Sequence, residues 1–175
     1  MSSPAHVVLV GMMGVGKSTV GSLVATALGV AFVDSDAEVE RRTGRTVAEL
    51  FAAGEPEFRA VEAAVMAELL DSDAPNVIAA AGGAVLDPDT RRALRDRSTV
   101  VWLQAPVDVL VGRVTGSDHR PALADDARGT LERMRNDREA LYVEVADLTI
   151  DSSVPVDEVA AAIVDAVVAS RGVVA

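Results

Sequence analysis

The stretch from residue 7 to residue 21 constrains this chain more than any other. It runs Val7-Val8-Leu9-Val10 and then Gly11-Met12-Met13-Gly14-Val15-Gly16-Lys17-Ser18-Thr19. Gly11, Gly16, Lys17 and Ser18 satisfy every fixed position of G-x-x-x-x-G-K-S/T. A β-branched apolar run precedes the motif, and Val20, Leu23, Val24, Ala27 and Leu28 follow at helical spacing. Strand, loop and helix in that order are the context in which such a loop wraps a triphosphate: glycines bring backbone N–H groups close to an anion, and the helix N-terminus adds its partial positive charge. Gly14, Val15, Gly16, Lys17, Ser18 and Thr19 are therefore expected to line a nucleotide site. Lys17 would reach the β/γ-phosphates, and the Ser18 hydroxyl would face Mg²⁺. Lys17 is the only lysine in the chain, and every other cationic side chain apart from the two histidines is arginine. A compact, flexible ammonium stands where a planar fork would not serve. A glycine-rich turn matching by chance is the competing explanation, and four fixed positions in the right context speak against it.

The 175 residues suit one domain of ordinary size. Half of them are hydrophobic but only 3% are aromatic, so Ala, Val and Leu must supply the core. A net charge of −11 argues against gripping nucleic acid or an anionic membrane, and leaves room for a local basic pocket. The absence of cysteine excludes disulfides and thiolate metal sites. With no signal-like leader and no apolar run near the ~20 residues a membrane span needs, a cytoplasmic protein is expected, and a monomer.

Strands are predicted over 6–10, 30–34, 76–81, 99–103 and 147–151. Helices are predicted over 17–28, 36–43, 47–51, 56–70, 89–97, 106–114, 127–145 and 155–170. Such alternation means an α/β fold, a parallel sheet covered by helices on both faces. Residues 115–126 carry no periodicity and are the candidate for a mobile lid.

In open α/β sheets ligands lie beyond the carboxyl ends of the strands. The second strand ends in Asp34-Ser35-Asp36, two acids that point the same way if the strand pattern continues. One could help hold Mg²⁺ and the other accept a hydroxyl proton. Taken alone, Asp36 reads as a helix N-cap; opposite a phosphate loop the chemical role gains weight. Arg59 and Glu62 stand three apart on one helix, where the acid can hold the guanidinium, although such pairs are commonly surface decoration. Gly82-Gly83 after the third strand either lets a ligand approach the backbone or makes an ordinary turn.

Taken together, these blocks resemble the shikimate kinase family. The resemblance rests on the P-loop, Asp34-Ser35-Asp36, Arg41-Arg42-Thr43-Gly44-Arg45-Thr46-Val47-Ala48-Glu49-Leu50-Phe51, Glu57-Phe58-Arg59-Ala60-Val61-Glu62, Ala81-Gly82-Gly83-Ala84-Val85, His119-Arg120-Pro121-Ala122-Leu123 and Arg138-Glu139-Ala140-Leu141-Tyr142. It implies one kinase domain over 1–175, with the P-loop at 11–19, an acceptor region at about 36–62 and a lid at about 115–126. The implied fold is a three-layer P-loop kinase with a five-stranded parallel sheet of order 2-3-1-4-5. The implied reaction is phosphorylation of shikimate by ATP with Mg²⁺. By the same resemblance Lys17, Asp36 and Arg120 would be catalytic, with Ser18 and Asp34 toward the metal. Asp36, Arg59, Gly82, Gly83 and Arg138 would hold shikimate, Arg120 would reach the transferring phosphate from the lid, and Arg113 and Pro155 would flank adenine. Two departures stand out: Ala81 where the family commonly has a third glycine, and Ser152-Ser153-Val154-Pro155 where it is commonly more polar and basic. A sibling kinase for gluconate and a non-catalytic nucleotide switch are the alternatives. The switch predicts loss of Asp36 or Arg120, and both are present.

Overall fold

Every side chain of β1 (His6–Val10) is buried, as a strand covered on both faces requires. In the computed structural model, which describes residues 6–115 and 126–172, β1 is the centre of a five-stranded, all-parallel sheet. It lies between β3 (Asn76–Ala79) and β4 (Ser98–Gln104). At the edges are β2 (Ala31–Asp34), paired with β3, and β5 (Leu148–Asp151), paired with β4. The expected order 2-3-1-4-5 is the observed one.

Helix α1 (Lys17–Leu28) packs on the sheet together with α8 (Val156–Gly172). On the other side lie α5 (Pro88–Arg97), α7 (Ala127–Val145) and the 3-10 turn Ala84–Leu86, with α6 (Val107–Thr115) against α7. Three further helices, α2 (Ser35–Thr43), α3 (Val47–Ala53) and α4 (Glu55–Leu70), enclose a small core of their own: Val39, Leu50, Phe58 and Val65. Thr46 caps α3 in a reciprocal capping box with Glu49. Of the residues expected to hold the acceptor, Asp36 and Arg59 stand on this separately packed lobe, whereas Gly82 and Gly83 follow β3 and Arg138 lies on α7 against the main sheet. Among the described residues no helix is long and apolar enough to cross a membrane.

The predicted elements are all present, and their boundaries differ for visible reasons. Gly29 takes φ 66° after α1, so Val30 closes the helix by donating to the Ala25 carbonyl and β2 starts one residue later than expected. The third strand stops at Ala79 rather than at 81: Ala80 still donates to Leu9, but the Ala81 N–H turns to the Ser35 hydroxyl. The strand pattern does not continue through Asp36 either. Asp34 ends β2 and is itself the N-cap of α2, its Oδ1 accepting from Asp36 N at 3.0 Å and Ala37 N at 3.3 Å. The cap is thus Asp34, and Asp36 sits in the first helical turn, free of that duty.

His6, at the end of β1 remote from the P-loop, is buried, and its Nδ1 accepts from the Asn76 N–H at 3.3 Å. Burial holds its pKa below the ordinary 6.5; the carbonyls of Ser72 and Leu70 offset this only in part. The unfolded chain then binds a proton that the native state refuses, so His6 stabilises the fold above pH 6.5 and that contribution fades as pH falls below it. Denaturant midpoints should therefore drop between about pH 7 and 5 in the wild type, and less in His6→Gln, whose side-chain oxygen can still accept from Asn76. Parallel curves for the two proteins would remove His6 from the account.

Candidate active site

The loop after β1 holds three glycines at positive φ: Gly11 at 142°, Gly14 at 80° and Gly16 at 99°. Space matters as much as angle at the first two. A Cβ on Gly11 would lie 2.5 Å from the Leu103 carbonyl oxygen, and one on Gly14 would lie 2.8 Å from a Val114 methyl. The loop is thus pressed between β4 and α6, leaving α1 to begin at Gly16 with no side-chain cap over its first amides. Those amides are the donors an anion would meet. The Lys17 ammonium donates to the carbonyls of Gly11 at 2.8 Å and Met12 at 3.0 Å, which holds it over the loop.

Ser18 and Asp34, 16 residues apart, meet directly: Ser18 Oγ donates to Asp34 Oδ2 at 2.5 Å. The carboxylate uses its other oxygen to cap α2, so one side chain fixes the helix start and faces the P-loop. A hydroxyl and a carboxylate side by side are the hard oxygen donors that Mg²⁺ prefers. Among the described residues no group of three or more His, Cys, Asp or Glu is placed to hold a metal ion. A site with two protein oxygens fits a cation whose remaining ligands are phosphate and water.

Arg113 on α6 ties the loop to the far end of the sheet. Its Nη1 donates to the carbonyls of Gly14 and Val15 at 3.3 and 3.4 Å, and its Nη2 to Ser152 at 2.7 Å. The guanidinium therefore reaches the carbonyl of Ser152, three residues before the exposed Pro155. Arg120 and most of the expected lid lie outside the described residues.

On the side expected to hold the acceptor, Arg59 and Glu62 of α4 form a partly buried pair. Nη1 of Arg59 donates to both Glu62 oxygens, at 3.1 and 2.9 Å, while Nη2 meets the more exposed Glu55 at 3.4 Å. The guanidinium carbon stands 5.1 Å from the Phe58 ring centroid and 5.8 Å from that of Phe51. This pair is not the surface decoration that its spacing alone permits: the Glu62 side chain is only 4% exposed. Burial pushes its carboxyl above the usual glutamate range, Arg59 counters the shift, and the nearby Asp36 charge adds to it. Arg138 of α7 is also buried and within electrostatic reach of Glu62.

The glycine pair is where these elements converge. Ala81–Ala84 is a turn closed by the Ala84 N–H on the Ala81 carbonyl at 3.0 Å, and neither glycine takes a positive φ. Their role is room. A Cβ on Gly83 would fall 2.1 Å from Arg59 Nη1, and one on Gly82 would fall 3.4 Å from both Arg138 Nη1 and the Gly11 carbonyl. What approaches this backbone is thus two guanidinium groups and the start of the P-loop. Arg59 and Arg138 thus meet at one turn beside the phosphate loop, and Glu62 lies within electrostatic reach of Arg59, Arg138 and Asp36.

Two contributors were not legible as such. Ser35 is buried, and its hydroxyl accepts from Ala81 N at 2.9 Å, pinning the Asp34-Ser35-Asp36 corner to the glycine turn. Tyr142 is buried under Trp102, with ring centroids 5.7 Å apart, and donates to the Gly82 carbonyl at 2.6 Å. Burial pushes its phenol up to about 12. The sequence signals for Tyr142 are its place one helical turn after Arg138 and its position closing the block Arg138-Glu139-Ala140-Leu141-Tyr142, neither of which points to the glycine turn.

Comparison with known proteins adds family and fold. Residues 13–168 match the family model described as shikimate kinase. The chain is 45% identical over 168 residues to a shikimate kinase of Rhizobium leguminosarum bv. trifolii, covering 92% of this chain and 85% of that protein. Its fold is similar to that of the Acinetobacter baumannii shikimate kinase solved with shikimate, with TM-score 0.90, 35% identity, and coverage of 97% of this chain and 96% of that one. A gluconokinase from Sinorhizobium meliloti shares the fold at TM-score 0.60 and 20% identity, covering 97% of this chain and 99% of that one.

Proposed function

The chain belongs to the shikimate kinase family, and we propose that it transfers the γ-phosphoryl group of ATP to the 3-hydroxyl of shikimate, a step of aromatic amino acid biosynthesis, at the junction between the P-loop and the glycine turn. The observation that carries this reading is the convergence of two arginines on a turn that abuts Gly11, with Asp36 within electrostatic reach of the Glu62 that holds one of them. With Nη1 of Arg59 engaged by Glu62 and Nη2 only loosely by Glu55, its Nε N–H is buried without an acceptor among the described residues. The Nε/Nη2 edge is a two-donor fork that matches a carboxylate bidentately. Arg138 supplies the second cation. Anchored at its carboxylate, the acceptor is turned with a hydroxyl toward Asp36.

Asp36 takes the hydroxyl proton as the oxygen attacks phosphorus, its position set by the first turn of α2. Lys17 and the uncapped amides of α1 offset charge on the phosphates, which is most of what phosphoryl transfer asks of a protein. Ser18 and Asp34 would hold Mg²⁺, which supplies further neutralisation of the phosphates when bound. Arg120 is assigned to the transferring group by family resemblance, and Arg113 with Pro155 to adenine. The local positive charge explains how a chain of net charge −11 recruits an anionic substrate.

A coupled ADP-release assay with shikimate, shikimate methyl ester, quinate, gluconate and nucleoside monophosphates tests the acceptor. Shikimate should turn over, and the ester should lose about 30- to 1000-fold in kcat/KM, because it forfeits a charge-assisted pair and leaves buried guanidinium donors unmatched. Equal use of acid and ester would rule the carboxylate contact out.

A further inference from the structure

We propose that Tyr142 is a positioning residue that selects one of two backbone states of the Gly82-Gly83 turn, a role that rests on the acceptor assignment above. The turn is of type I: Gly83, its third residue, has φ −92° and ψ −5°, and the Ala81 carbonyl accepts from Ala84. Glycine at that place is also the residue that type II turns favour, since it takes φ near +80° at no steric cost. The two forms differ by a flip of the peptide between Gly82 and Gly83, so no side chain at the turn itself opposes the exchange. The flip reverses the Gly82 carbonyl. In a trans peptide the Gly83 N–H points opposite to that carbonyl, so both reverse together.

The Tyr142 hydroxyl fixes the sense by donating to the Gly82 carbonyl at 2.6 Å. In the flipped form that hydroxyl would lose its acceptor and face an N–H instead. The phenol is fully buried, stacks on Trp102 and lies against the Arg138 guanidinium, so it cannot swing away to solvent. Ser35 holds the other end of the turn through the Ala81 N–H. The consequence is a Gly83 N–H held in one direction, away from α7, with the turn packed close to Arg59 and Arg138 as substrate arrives. Glycines needed for room would otherwise make this backbone ambiguous, and Tyr142 removes the ambiguity.

Tyr142→Phe keeps the ring and its stacking and removes only the hydroxyl. The expected result is a shikimate KM raised by about 5- to 20-fold, from loss of one hydrogen bond to a backbone that must then be ordered on binding. The KM for ATP should stay within about twofold and kcat within about threefold, since uniform acceptor binding alone is affected. A shikimate KM that does not move, or equal losses toward both substrates, overturns the proposal. A second measurement needs no variant. Tyr142 is the chain's single tyrosine, so ζ-carbon labelling gives one resonance. In mixed light and heavy water a hydroxyl held out of exchange splits that resonance into two. A single averaged line in the wild-type protein overturns the lock whether or not the variant folds. A split line in an enzyme that does not turn over shikimate supports the lock and overturns the acceptor instead.

Discussion

Gly83→Ala should lower kcat/KM for shikimate by roughly 30- to 1000-fold while the KM for ATP stays unchanged, although a glycine-to-alanine change is the smallest the site permits. The added methyl carbon would fall 2.1 Å from Arg59 Nη1, 2.6 Å from Cζ and 2.9 Å from Nη2. The backbone angle is no obstacle, because φ −92° suits alanine. What yields is the guanidinium, the far end of a flexible side chain, and it is pushed off the position proposed for meeting the substrate carboxylate. The displacement also draws Nη1 from the buried Glu62, whose carboxyl would rise further above its usual range. Melting should fall moderately and the protein should remain folded. The decisive measurement is a double-mutant cycle with Arg59→Ala. If Gly83 acts through Arg59, adding Gly83→Ala to Arg59→Ala costs little more. Additive losses would show that Gly83 has an independent part in binding.

Replacing the chain's one lysine should have an effect at least as large. Lys17→Ala removes the ammonium proposed to serve the phosphates, and kcat should fall by about 10²–10³-fold or more, the range for losing one preorganised charge stabiliser. Lys17→Arg is the sharper test, because it keeps the charge. The wild-type ammonium sits 2.8 and 3.0 Å from two loop carbonyls, in a loop where even a methyl group on Gly11 or Gly14 would collide with β4 or α6. A planar guanidinium does not fit that space with the same donors, so turnover should drop nearly as far as in the alanine variant. Single-turnover measurements at saturating ATP separate chemistry from binding. Near-normal turnover in Lys17→Arg would mean that any cation serves there.

The nucleotide half of the site was legible in the sequence because its determinants are local. Positive φ at Gly11, Gly14 and Gly16, the helix starting at Lys17 and the apolar run of β1 all follow from adjacent residues. Strand and helix periods then yielded the parallel sheet, and the resemblance supplied its order 2-3-1-4-5. Arg59, Glu62 and Arg138 were legible as residues, and Arg59–Glu62 as a pair, because a helix brings positions three apart together.

Tertiary structure decided which of several local readings applies. Asp34 and Asp36 can each cap a helix; only the end of β2 at Asp34, whose Oδ1 accepts from Asp36 N and Ala37 N while its Oδ2 accepts from Ser18, gives the cap to Asp34. A Gly-Gly pair looks the same whether it serves backbone angle or space, and only the approach of two guanidinium groups from α4 and α7 shows that it serves space. The hydrogen bonds of Ser35 and Tyr142 to the glycine turn span 46 and 60 residues. No local period encodes them, because such partners meet only when separate elements dock. Short-range sterics and hydrophobic spacing set the fold and the phosphate loop; the orientation of the acceptor backbone depends on burial and on partners that are distant along the chain.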